Sequence, residues 1–352
     1  MDKTHFHYFE TGSTDPFYNL AFEEYLFDHL TQGSILMLWQ NERTVVIGRN
    51  QIAQQQVNQP FIEEHRIRVV RRMTGGGAVY HDSGNLNYSF ITDEVGSSVS
   101  QTLEILAVPI VEALRGLGLN AAVSGRNDIL IGGRKVSGTA QRAAHGRILH
   151  HGTLLFDTDE EMVSGSLKVD EEKFRGKGVR SVKSRIGNIR VFLEEASAHL
   201  PPGERTALPD DIPQFWDYLK RALNTGDGCT TELSPEVLSP EALKEIRELT
   251  DTKYRTHEWN WGRSPMFEFS SRRYLPGGLL ECFVDVKDGK IRNIRFCGDF
   301  LARRPLDEIE VKLNSVPFER HAVREALSPF DLRLYFGDID EEALLDTLFD
   351  VT

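Results

Sequence analysis

The stretch VVRRMTGGGAVYHDSGN, residues 69–85, places three successive glycines, Gly75, Gly76 and Gly77, shortly after the pair Arg71 and Arg72. Backbone without side chains lets amide dipoles approach a bulky anion. Two guanidiniums alongside suit a phosphate or a carboxylate. The same glycines would also serve a tight turn or a bulge. Their spacing is neither the dinucleotide pattern G-x-G-x-x-G nor a P-loop ending in G-K-[ST]. A second cluster is GRNDILIGGRKVSGTAQR, residues 125–142. Lys135 lies there between strand-like flanks, beside Arg134 and the small-residue run Val136, Ser137, Gly138. That pattern fits a buried anion clamp or a solvated surface lysine. Asn127 and Asp128 are suited to hold a ligand amide or a metal, or to build a turn.

His150 and His151 are a third candidate. Neighbouring side chains on a strand point to opposite faces, so the two cannot share one metal, and no cysteine lies nearby to complete a zinc set. The expectation is one packed histidine and one exposed. Between Lys173 and Arg190 stand seven basic residues (Lys173, Arg175, Lys177, Arg180, Lys183, Arg185, Arg190) and no acid. This is a solvated basic loop, a phosphate ligand or a docking face for an acidic protein. There is no G-x-S-x-G elbow and no cysteine in the first 228 residues, so no nucleophile stands out.

The elements that must position these residues read as follows. DPFYNLAFEEYLFDHL (15–30) is an amphipathic helix, with Asp15 as N-cap and Pro16 at its first position. ILMLWQ and TVVIGR (44–49) form a strand pair across a polar turn, and AVYHD and LNYSF form a hairpin around Gly84. Residues 103–119 are helical around Pro109, and 127–138 and 148–157 are strands. Thr158 with Glu161 resembles a capping box. Helices follow at 208–223 and 239–254, then a boundary near HEWNWGRSP (257–265). Beyond it, 279–298 is a hairpin about Asp288 and Gly289, followed by the helices RHAVREAL and EEALLDTLF. Antiparallel strands with helices on a face, and no strict strand–helix alternation, make this an α+β chain.

Composition bounds the function. The chain has 352 residues, 40% hydrophobic and 27% charged, enough for two globular domains. Its net charge of -12 argues against a nucleic-acid or lipid-surface binder, and no apolar stretch is long enough to span a membrane. The N-terminal residues lack a basic region followed by an apolar core, so no secretory signal is expected. Three cysteines, Cys229, Cys282 and Cys297, without metal-type spacing fit a reduced cytoplasm.

Taken together, TVVIGRNQ (44–51), RRMTGGGAVYHDSGNLNYSF (71–90), GRNDILIGGRKVSGTA (125–140), HHGTLLFDTD (150–159) and KGVRSVKSRIGN (177–188) resemble the lipoate–protein ligase A family, in the family's order. The resemblance implies the fold shared with biotin protein ligases: an α+β catalytic domain on a mixed or antiparallel sheet, residues 1–262, and a small α+β C-terminal domain, residues 263–352. It implies ATP-dependent activation of lipoate as lipoyl-AMP, with Mg²⁺. The lipoyl group would then pass to a lysine on lipoyl domains of 2-oxoacid dehydrogenase acyltransferase subunits or on the glycine cleavage H protein. By the resemblance Arg72 faces lipoate and its adenylate. Gly77, Ala78, Val79 and Tyr80 form the nucleotide-binding strand. Lys135 contacts both carboxylate and phosphate and is the catalytic residue. The basic segment after residue 172 orders over the adenylate. Gly75, Gly76, Asn127, Asp128, Gly138 and His151 belong to the same pocket, with His151 a candidate general base. No resident metal ligands are expected. The alternative is a lipoyl or octanoyl transferase using a preformed activated donor, which in relatives that hold a thioester needs a cysteine the matched motifs lack.

Overall fold

Asp15 caps the helix Pro16–His29 by accepting from the Phe17 amide, with Pro16 in the first turn, as its sequence predicts. The computed structural model describes residues 6–94, 98–125, 127–168, 186–198, 208–224, 233–262 and 269–349. The strands are β1 (Phe6–Glu10), β2 (Ser34–Trp39), β3 (Thr44–Ile47), β4 (Arg68–Arg71), β5 (Val79–His81), β6 (Asn85–Asp93), β7 (Ala121–Ser124), β8 (Asp128–Ile131), β9 (Arg134–Ala144), β10 (Arg147–Leu155), β11 (Phe269–Leu275), β12 (Gly278–Lys287) and β13 (Lys290–Gly298). They form a seven-stranded sheet in the order β1-β2-β6-β10-β9-β8-β7, a small sheet β4-β3-β5, and a C-terminal sheet β11-β12-β13. The first two are mixed, because β1 runs parallel to β2 and β3 parallel to β4. The chain is therefore α+β, with a small C-terminal domain on its own three-stranded sheet.

The two strand pairings read within residues 35–90 do not form. β2 pairs with β1 and β6, whereas β3 pairs with β4 and β5 in the small sheet. β5 and β6, expected as a hairpin, likewise lie in different sheets. The reason is burial: every residue of β2 and of β3 is buried, so each strand sits inside a sheet covered on both faces. The linkers 40–43 and 82–84 carry the chain from one sheet to the other. They run side by side, with Gln40 Nε2 donating to Ser83 O at 2.7 Å.

Alternation splits the seven-stranded sheet into two faces. Leu36, Leu38, Leu86, Tyr88, Phe90 and Leu154 pack against the helices Val99–Gly116, Ile189–Ser197 and Ile212–Ala222. Ile35, Met37, Trp39, Ile91 and Leu149 face the helix Pro16–His29 and, through Val46 and Val70, the small sheet. The helix after residue 158 is capped by Asp159, which accepts from the Glu161 and Met162 amides; Thr158 is buried instead of capping. The stretch read as a boundary is packed: His257–Trp261 is a short helix whose Asn260 is buried and accepts from the Arg71 amide. Residues 263–268 lie outside the described residues. The hairpin at 288–289 forms as expected, with Asp288 and Gly289 at φ 53° and 71°, the left-handed pair such a turn needs.

The C-terminal domain has its own core around Phe296, Phe300, Phe336 and Leu345. It meets the rest of the chain through backbone: Gly298 N to Asn50 O at 2.9 Å, Gly76 N to Phe300 O at 3.2 Å and Ala143 N to Arg303 O at 2.6 Å. The buried Arg303 also pairs with Glu94 at 2.6 Å. Among the described residues no helix is long and apolar enough to cross a membrane.

Candidate active site

A cavity of roughly 100 Å³ opens between the seven-stranded sheet, the small sheet and the helix Pro16–His29. Leu20, Trp39 and Val46 give it an apolar stretch. Of the residues singled out from the sequence, Arg72, Gly77, Ala78 and Val79 line it from the small-sheet side. Asn127, Lys135, Gly138 and His151 line it from the other. Asp128 stands just behind, its Oδ1 at 2.7 Å from Lys135 Nζ. A Cβ at Gly138 would meet that Nζ at 2.8 Å, so a side chain there would displace the ammonium. Behind Lys135 the chain leaving the undescribed stretch is tied down, Gly187 N donating to Lys135 O at 2.9 Å.

The triple glycine divides its work. Gly76 has φ +84°, and a Cβ at Gly48 would lie 2.0 Å from its carbonyl oxygen. Gly75 packs against Phe300 O, with 3.0 Å for a Cβ. Neither lines the cavity; both shape the loop and its seam with the C-terminal domain. Gly77 has open space where a side chain would stand, and faces the cavity. Tyr80 points away as well. In β5, Val79 and His81 face the cavity, so alternation sends the Tyr80 ring into the cluster of Val45, Ile47 and Val69.

The two arginines also part company. Arg71 is fully buried, and its side chain donates to Gly48, Arg49, Gln51, Trp259 and Asn260 carbonyls. It is a scaffold for the loop, which corrects the expectation that both guanidiniums serve an anion. Arg72 reaches the cavity. It donates through Nε to Thr74 Oγ1 at 2.9 Å, through Nη1 to Val46 O at 3.2 Å, and through Nη2 to Gly75 and Gly77 carbonyls. Of its five hydrogens, one on Nη1 is left among the described residues. Burial lowers its pKa to about 10, opposed by Glu23, so it stays charged at neutral pH.

His151 is buried, as is His150, so the expected exposed member does not exist. His151 Nδ1 lies 2.9 Å from Glu23 Oε1, and Nε2 lies 2.8 Å from Thr74 Oγ1. Glu23 also accepts from Ser89, which in turn accepts from Trp39 Nε1 at 2.9 Å. Both imidazole nitrogens are thus engaged, which leaves neither directed at an incoming amine. Glu23, Thr74, Trp39, His81 and Asn87 escaped the sequence reading. Thr74, His81 and Asn87 lie inside the glycine-loop motif, whereas Glu23 and Trp39 carried no local signal. Of the basic segment, Lys173, Arg175, Lys177, Arg180, Lys183 and Arg185 lie outside the described residues. Arg190 pairs with Asp157 and Glu194 at the surface.

Comparison with known proteins gives the site a context. Residues 15–200 match the lipoyl protein ligase A/B catalytic domain, and residues 264–348 match the bacterial lipoate protein ligase C-terminus. Lipoate–protein ligase 1 of Staphylococcus aureus is 39% identical over 333 residues, covering 94% of this chain and 96% of that protein. Among solved structures, a bipartite lipoate protein ligase of Thermoplasma acidophilum, studied with its E2 lipoyl domain, is 29% identical with a TM-score of 0.61, covering 75% of this chain and 99% of that one. A lipoate–protein ligase A bound with ATP is 27% identical with a TM-score of 0.58, covering 73% and 99%.

Proposed function

The chain belongs to the lipoate–protein ligase family, and from that premise we propose how its own residues carry out the two half-reactions. It is an ATP-dependent ligase that activates free lipoate to lipoyl-AMP and transfers the lipoyl group to a lysine of a lipoyl domain. The observation that carries the reading is the convergence of Lys135, Arg72 and Gly77 on one cavity with an apolar stretch.

A carboxylate is a poor electrophile because its leaving group would be oxide. Attack of the lipoate carboxylate on the α-phosphate of ATP makes a mixed anhydride, with pyrophosphate leaving, and AMP becomes the later leaving group. The step brings two anions together, so the site must offset their repulsion and the charge developing at phosphorus. Lys135, bridging carboxylate and α-phosphate, is placed for this, with Asp128 orienting its ammonium. The Gly77 backbone and the remaining Arg72 hydrogen add donors. The lipoyl chain lies along Leu20, Trp39 and Val46, each buried CH₂ contributing about 0.8 kcal/mol. The nucleotide follows the backbone of Gly77, Ala78, Val79 and Tyr80, with Asn127 beside it. Among the described residues no group of three metal-ligating side chains gathers. Asp128, about one-third exposed, would be the carboxylate to hold a Mg²⁺ arriving with ATP, and the ion would neutralise charge on the pyrophosphate.

In the second half-reaction the acceptor lysine must be neutral, and the cationic Arg72 and Lys135 favour its deprotonation. The acceptors we propose are lipoyl domains of 2-oxoacid dehydrogenase acyltransferase subunits and the glycine cleavage H protein, the reaction taking place in the cytoplasm. The division 1–262 and 263–352 is the domain boundary we propose. A transferase that holds its acyl group as a thioester finds no cysteine at the cavity among the described residues: Cys282 and Cys297 are buried in the C-terminal sheet, and Cys229 lies outside the described residues. The test combines the protein with ATP, Mg²⁺, free lipoate and an apo lipoyl domain. The acceptor should gain one lipoyl group, with pyrophosphate released. Pyrophosphate that never appears, or acylation that occurs only from an octanoyl carrier protein, would overturn the reading.

A further inference from the structure

We propose that His81 and Asn87 are a pair of preset hydrogen-bond donors that recognise the sulfur ring of lipoate and so favour it over octanoate, the straight-chain acid of the same backbone length. The inference deepens the ligase reading and rests on it. Both residues line the cavity, both are more than nine-tenths buried, and His81 Nε2 and Asn87 Nδ2 have no hydrogen-bond partner among the described residues.

The direction of the His81 donor follows from its neighbours. Asn19 Nδ2 points at the Ser13 and Gln40 carbonyls, which only an amide nitrogen can do, and its two hydrogens are shared between these and Asn41 Oδ1 at 2.9 Å. The other end of Asn41 is therefore its nitrogen, which donates to His81 Nδ1 at 3.1 Å. An accepting Nδ1 leaves the proton of the neutral ring on Nε2. Burial, together with the charges of Arg72 and His151, lowers the His81 pKa to about 3, so the ring keeps that single proton at working pH. Asn87 Oδ1 accepts from Asn85 Nδ2 at 2.9 Å, and its own Nδ2 is left over.

Sheet register places the pair at the tail end of the site. Asn87 on β6 stands opposite Trp39 on β2 and Thr153 on β10. Thr153 Oγ1 accepts from the amide of Gly138 on β9, where Lys135 Nζ lies. Lys135 is therefore about two strand spacings, roughly 10 Å, from Asn87. With its carboxylate at Lys135, an eight-carbon chain ends near Asn87, Trp39 and His81, whose ring meets Trp39 edge-on at 6.1 Å. Buried donors facing only methylenes are left unmade, which penalises octanoate; the ring sulfurs are weak acceptors and relieve that penalty.

The experiment measures kcat/KM for lipoate and for octanoate with ATP and the apo lipoyl domain, and calorimetric binding of both acids to the full chain. Asn87→Leu and His81→Phe should each lower the lipoate-to-octanoate ratio about tenfold, while His81→Gln, which keeps a donor, should retain it. Asn41→Leu tests the positioning residue: ¹⁵N spectra should show His81 losing its pure Nε2–H tautomer, with the ratio falling partway. A ratio unchanged in the Asn87 and His81 variants, or both acids weakened equally, overturns the proposal. Wild-type protein that prefers lipoate in binding but releases no pyrophosphate upholds the donor pair and strikes the ligase reading. Turnover of both acids with equal kcat/KM does the reverse.

Discussion

On one face of the seven-stranded sheet stand Trp39, Asn87, Ser89, His151 and Thr153; one residue along, on the other face, stand Leu38, Tyr88, His150 and Leu154. The two sets share strands, burial and backbone hydrogen bonds. They differ in what they face. On the cavity side His151 has both nitrogens engaged, by Glu23 and Thr74. On the core side His150 has neither engaged among the described residues, and its ring lies against Tyr88 at 6.1 Å. Polar groups on the first face border a cavity, whereas the second face is a hydrophobic core that tolerates one neutral histidine. Identity of residue type is thus a poor guide to role; the face decides it.

That contrast can be broken first at Lys135. Lys135→Ala should lower the rate of adenylate formation about a thousandfold, about 4 kcal/mol of electrostatic stabilisation, with an unchanged unfolding midpoint. Turnover near the wild-type rate would remove Lys135 from the chemistry. Leu154→Ala probes the opposite face, one residue from Thr153. It should reduce unfolding free energy by about 3 kcal/mol, read in urea, while the folded protein keeps its affinity for lipoate. A loss of affinity without a loss of stability would show that the two faces are not separable.

The smallest effect is a pH slope. Burial, with a contribution from His151, lowers the His150 pKa to about 3, against about 6.5 in an unfolded chain. Between those values the unfolded state binds a proton that the folded state refuses. Stability is therefore complete above about pH 6.5 and falls on acidification, by up to about 1.4 kcal/mol per pH unit for this group. His150→Leu should remove one proton from that slope, leaving the similar contribution of His81. A slope in the variant equal to that of the wild type would mean His150 accepts its proton while folded.

Several features were legible in the residues alone because their causes are local. Asp15 and Pro16 start a helix through contacts within one turn, and Asp288 with Gly289 suits the left-handed turn they adopt. Arg72 and Lys135 stood out by type and setting. Other features were not legible. A polar turn such as 40–43 closes a hairpin or crosses between sheets with equal ease, so the partners of β2 and β3 stayed hidden. Arg71 and Arg72 are indistinguishable as neighbours, and the carbonyls that claim Arg71 come from residues 48–51 and 259–260. Glu23 lies on a helix whose sequence marks it as an ordinary polar position, yet it is fully buried against His151.

The amino-acid sequence by itself determined the α+β class, the capped helices and turns, and which motif residues were chemically able to handle anions, because periodicity, capping and side-chain chemistry act over a few residues. Tertiary structure alone decided that Leu20, Trp39, Arg72, Asn87, Lys135 and His151 meet around one cavity, that Gly75, Gly76 and Arg71 support it from behind, and that Tyr80 turns away. Those outcomes depend on which strands are buried on both faces and on register between segments far apart in the chain, where a shift of one residue would exchange one face of the sheet for the other.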